Sequence, residues 1–93
     1  MLEKLFRLDE KIIVITGATG LLGKKHAESI ACYGGTPILI DLSQKNLDEL
    51  SNELNDKYNI NSVGFSVDIT NEKAIKKNVK QILSKFGKLD GLV

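Results

Sequence analysis

Ninety-three residues bound the chain to one small domain with a thin core, because a polypeptide of this size buries only a little over ~60% of the surface its unfolded form exposes. Lys and Arg number 13 against 12 Asp and Glu, so no global field draws in nucleic acid or an anionic membrane, and neither is expected as a partner. A single cysteine, Cys32, excludes an internal disulfide, the charged start carries no secretory pattern and no stretch reaches the length of a membrane span, which together make a cytoplasmic location the expectation.

Along the chain, short solid apolar runs alternate with helical spacing, the signature of βαβ units. Residues 11–16 read as the first strand. A loop follows, Thr16-Gly17-Ala18-Thr19-Gly20-Leu21-Leu22-Gly23, and it opens a helix over residues 21–33 that Gly34 and Gly35 can end. The second strand spans residues 37–41, opened by Pro37 and closed by Asp41. Ser43 can cap a second helix, in which Leu47, Leu50, Leu54 and Tyr58 recur at helical spacing. Residues 62–67 read as a third strand. Thr70 or Asn71 then caps a third helix with an apolar stripe of Ala74, Ile75, Val79, Ile82, Leu83 and Phe86, and residues 89–93 begin a fourth strand. Strands separated by helices and lacking hairpin turns predict a parallel α/β sheet with right-handed crossovers.

The loop carries the chemistry. Glycines at 17, 20 and 23 let the backbone turn out of a strand, approach a pyrophosphate closely and pack the new helix on its strand. The open N–H groups and positive dipole end of that helix would face the phosphates. Asp41, at the tip of the second strand, stands where a carboxylate can accept hydrogen bonds from a ribose. Lys24 after Gly23 raises the alternative of a nucleoside-triphosphate loop. That pattern requires a glycine at position 18 and Ser or Thr at position 25, which are Ala18 and Lys25 here. The fold expected for a dinucleotide site is a doubly wound sheet of order 3-2-1-4, with the third helix on the face opposite the first two.

These motifs resemble the short-chain dehydrogenases/reductases over essentially the whole chain. Phe6, Leu8 and Lys11 are similar to that family's opening, Thr16-Gly17 to its cofactor loop, Asp68-Ile69-Thr70 to the tip of its third strand, and Gly87-Lys88-Leu89-Asp90-Gly91-Leu92-Val93 to the stretch entering its fourth. The glycine spacing itself matches the extended branch, which includes sugar-nucleotide epimerases and dehydratases, while the remainder resembles the compact branch. The resemblance implies the N-terminal half of a Rossmann-type doubly wound sheet. It also implies an NAD(P)-dependent oxidoreductase whose cofactor-binding residues are Gly17, Thr19, Gly20, Leu21, Leu22, Gly23, Asp41, Leu42, Asp68 and Ile69, the last two flanking the adenine. The family's catalytic Ser and Tyr-x-x-x-Lys have no counterpart here, since four positions after Tyr33 and Tyr58 stand Pro37 and Ser62. Residues 1–93 therefore read as one cofactor-binding half-domain, ending in the fourth strand before a catalytic half, inactive alone and belonging to a homo-oligomeric parent. The alternatives are an extended-branch epimerase or dehydratase fragment and a non-catalytic dinucleotide-binding module.

Charge at Asp41 favours NAD over NADP, because the same carboxylate repels a 2′-phosphate and Leu42 supplies no compensating base. The substrate is not encoded in these residues. No metal site is expected, and His26 and Cys32 read as packed helix residues. Lys73, Lys76, Lys77 and Lys80 read as a solvated helix face. Asp68 has a second reading, as a contributor to the cap of the third helix.

Overall fold

The computed structural model describes residues 7–93, so Phe6 lies outside the described residues. Strands β1 (Ile12–Thr16), β2 (Thr36–Asp41), β3 (Val63–Ser66) and β4 (Gly91–Leu92) alternate with helices α1 (Leu21–Cys32), α2 (Gln44–Tyr58) and α3 (Glu72–Phe86). Ile-rich runs make β1 and β2 because branched side chains fit a pleated surface buried on both sides. The sheet has order β3-β2-β1-β4 and is parallel throughout. Ile12 pairs with Thr36 and Thr16 with Ile40 in the β1–β2 register.

Alternation along the strands divides the core in two. Ile15 and Leu39 pack with Ala27, Ile30 and Ala31 of α1 and with Leu47, Leu50 and Leu54 of α2. Ile12, Val14, Ile38 and Ile40 point the other way, against Ile82 of α3. The helices thus lie on opposite faces as the sequence predicts.

Differences from the sequence reading are local. β3 is shorter than residues 62–67 because Ser62 turns to α2, its backbone N–H donating to Asn55 Oδ1 at 2.7 Å and its carbonyl accepting from Asn55 Nδ2 at 2.9 Å. The regular part of β4 is only Gly91–Leu92, although Asp90 N donates to the Ile12 carbonyl at 2.8 Å and Val93 N to that of Val14 at 2.8 Å. The apolar stripe of α3 splits. Ile82 is buried and Phe86 partly so, whereas Ile75, Val79 and Leu83 are exposed and the polar Asn78 is buried instead. Cys32 is exposed, contrary to the buried position expected for it. It lies about 100° around the helix from buried Ala31, outside the stripe that meets the sheet.

Candidate functional site

Parallel strands end at a common edge, so the loops leaving β1, β2 and β3 meet there. At this edge α1 and α3 depart to opposite faces of the sheet and β1 lies between β2 and β4, which makes it a topological switch point where open α/β sheets bind ligands. A crevice of about 240 Å³ opens between the loops. Gly17, Asp41, Leu42, Asp68 and Ile69 line it together with Ile40, Val67 and Thr70. Residues spread over the sequence from 17 to 70 are thereby gathered by topology alone.

Above the crevice stands the glycine loop. Gly17 has φ +61°, a left-handed conformation that side chains resist. Gly23 is buried where α1 crosses the loop: a Cβ there would collide with the Gly17 carbonyl oxygen and lie 2.8 Å from Ala18 Cα. Gly20 is the N-cap of α1 and supplies no side-chain cap, and no acidic residue occupies the first turn. The other two helices are closed by side chains, Ser43 Oγ accepting from Asn46 N at 3.3 Å and Asn71 Oδ1 from Ala74 N at 3.1 Å. The amino end of α1 is therefore free to take an anion, as its unfilled N–H groups and dipole favour. Leu21 and Leu22 in that first turn are 79% and 66% exposed, presenting apolar surface beside this uncapped helix end.

Asp41 sits half-buried at the end of β2, and it is not a bare solvated carboxylate. Its Oδ2 accepts from Thr19 N at 3.0 Å and from Thr19 Oγ1 at 2.6 Å, while Oδ1 accepts from Leu42 N at 2.8 Å. These bonds, that of the Thr19 hydroxyl foremost, hold its pKa below the ordinary carboxylate range. The link to Thr19 has no local sequence signal, because it joins residues 22 apart through tertiary structure. Asp68 is exposed and accepts from Thr70 N at 2.9 Å and Thr70 Oγ1 at 2.6 Å, which lowers its pKa. It belongs to the turn before α3, whose cap is Asn71. Ile69 is 56% exposed at the crevice rim.

Other candidate groups lie elsewhere. Tyr33 and Tyr58 share a shallow recess with Glu28 and Cys32 where α1 and α2 end, at the sheet edge opposite the crevice. Tyr58 donates to Glu28 Oε1 at 3.2 Å. His26 is half-buried in α1, and among the described residues no three His, Cys, Asp or Glu side chains gather as a metal site. Lys73, Lys76, Lys77 and Lys80 are exposed, with Lys76 3.2 Å from Glu72. No helix among the described residues is long and apolar enough to cross a membrane.

Sequence and structure comparisons agree with this fold. The profile of the short chain dehydrogenase family matches residues 11–93, and the chain belongs to that family. It is 31% identical over 86 residues to post-translational flagellin modification protein A of Campylobacter coli, covering 92% of this chain and 34% of that protein. The NADPH-dependent 3-quinuclidinone reductase of Rhodotorula rubra superimposes with a TM-score of 0.92 at 28% identity, over 99% of this chain and 35% of that one. NAD+-bound xylitol dehydrogenase does so with a TM-score of 0.86 at 27% identity, over 91% of this chain and 32% of that one. The chain thus spans about a third of the length of these relatives.

Proposed function

We propose that residues 1–93 form the cofactor-binding portion of an NAD(P)-dependent oxidoreductase and hold the ADP-ribose part of the dinucleotide. The observation that supports this is the convergence, at one end of a parallel sheet, of an uncapped helix N-terminus behind a glycine loop and a crevice edged by Asp41, Asp68 and Ile69. The donor set fits the group. N–H groups of the first turn of α1 suit the pyrophosphate, Asp41 suits a ribose hydroxyl, and Ile69 and Val67 offer apolar contact to a base. Gly20 leaves open the space through which the phosphates approach, and a Cβ there would already press on the Gly17 carbonyl oxygen at 3.3 Å.

When bound, the nicotinamide ring supplies the hydride chemistry. What this chain contributes is binding and orientation. A proton donor for the substrate oxygen is not provided by Tyr33 or Tyr58, which lie at the edge of the sheet far from the crevice.

NAD is preferred to NADP in this reading. A 2′-phosphate held near Asp41 meets roughly 4 kcal/mol of repulsion per unit charge at 4 Å in an effective dielectric near 20, reduced by salt. Titrating the chain with NAD, NADP and ADP-ribose tests both parts. NAD and ADP-ribose are expected to bind with similar affinity, NADP at least ~10-fold more weakly. Absence of saturable binding by all three would reject the site, and tighter binding of NADP would reject the preference.

A further inference from the structure

We propose that Thr19 is a positioning residue for Asp41: it fixes the carboxylate by Oδ2 and leaves Oδ1 as the one acceptor offered to the ribose. The inference rests on the dinucleotide reading above and concerns how that site tells its ligands apart. Thr19 grips one oxygen twice, through its backbone N–H at 3.0 Å and its hydroxyl at 2.6 Å. Leu42 N takes a position on the other oxygen at 2.8 Å. An ionised carboxylate has about four lone-pair sites, so both of those on Oδ2 are filled and a single one remains on Oδ1.

Asp41 can accept from only one of the two vicinal ribose hydroxyls at full strength, so the adenosine diol is read unequally. The carboxylate is also ordered before the ligand arrives, in a rotamer that the glycine loop itself dictates, so less freedom is lost on binding. Because the hydroxyl proton of Thr19 is committed to Asp41, neither residue has a donor to offer a 2′-phosphate. Thr19 thus keeps an acceptor-only edge facing the ribose, and discrimination against NADP depends on it as well as on the charge of Asp41.

The test measures dissociation constants of the full chain for NAD, NADP and the two NAD analogues that lack the 2′- or the 3′-hydroxyl of the adenosine ribose. In the wild type, one analogue is expected to bind ~10-fold more weakly than NAD and the other within about 2-fold. Thr19→Val, which keeps the backbone N–H and removes the hydroxyl, should weaken NAD about 5-fold and shrink the NAD-to-NADP ratio, while Thr19→Ser restores both. Equal weakening of the two analogues in the wild type would overturn the inference, and that measurement needs no variant to fold. So would NAD binding by Thr19→Val that matches or exceeds the wild type, or a failure of Thr19→Ser to restore it. NAD affinity unchanged in Asp41→Asn would overturn the ribose role of Asp41 and this inference together. An affinity that depends on Asp41 but not on Thr19 overturns this inference alone.

Discussion

Gly20 and Gly23 occupy the same loop, yet a side chain at each would do different damage. At position 23 a Cβ runs into the Gly17 carbonyl and Ala18 Cα, backbone atoms that cannot yield without lifting α1 from the sheet. Position 20 meets only the Gly17 carbonyl oxygen at 3.3 Å, which a small shift relieves, and in the proposed site its outward side would face the phosphates. Gly23→Val is therefore expected to cost about 2–4 kcal/mol of stability, Gly20→Val about 1 kcal/mol with loss of NAD binding, and Lys77→Ala within about 0.5 kcal/mol of the wild type in stability with binding intact. Thermal melts paired with NAD titrations separate these outcomes, and a Gly20→Val variant that binds NAD normally would remove the loop from the phosphate site. At this scale the sequence shows the glycines, Asp41 and the Asp68-Ile69 pair, because each follows a strand at a recognisable interval. It does not show Thr19 as the partner of Asp41, since only the closing of the loop over β2 brings hydroxyl and carboxylate to 2.6 Å.

Helix periods and caps made the elements readable, and α2 and α3 begin behind Ser43 and Asn71 as their residue types predict. The ends of β3 and β4 were less legible, because they are set by bonds to other elements: Asn55 holds Ser62, and Thr16 N and Oγ1 both donate to the Val93 carbonyl at 3.1 Å. β4 is further tied to β1 by Asp90, whose Oδ2 accepts from Ile12 N at 2.8 Å and lies 3.2 Å from Lys88 Nζ. The Ile12 N–H is the main cause of the lowered pKa of Asp90, and Thr19 that of Asp41. A carboxyl whose pKa is lower folded than unfolded adds stability that is present above its unfolded pKa and is lost as pH falls through its folded one. The chain should accordingly lose stability on acidification between about pH 5 and pH 2, and Asp41→Asn and Asp90→Asn should each flatten that slope while lowering stability at neutral pH. Urea unfolding across this pH range checks the sign. A slope left unchanged by both substitutions would mean that these bonds do not persist in solution.

For the molecule as a whole, the two faces of the sheet are unequally covered. Among the described residues, one face is shielded by two helices, α1 and α2, and the other by α3 alone. Between α3, β1 and β4 an apolar cleft of about 210 Å³ remains, lined by Val14, Ile75, Val79, Ile82, Leu89 and Leu92 among others. Leu92 is 72% exposed on β4, an edge strand of the sheet. Parallel sheets are ordinarily covered on both faces, and an open edge beside contiguous apolar surface favours association. Met1–Val93 expressed alone is therefore expected to self-associate, to melt at low temperature and to show no dehydrogenase turnover. NAD at a hundred times its dissociation constant should raise its stability by about 2.7 kcal/mol, because ligand is bound by the folded form only. Sedimentation, melting with and without NAD, and NAD reduction with alcohol and sugar substrates measure the three expectations. A monomer with a cooperative high-temperature melt would show that α3 covers its face well enough unaided. Turnover that Asp41→Ala abolishes would place a complete reaction centre within these residues and return the question to which of them donates the proton.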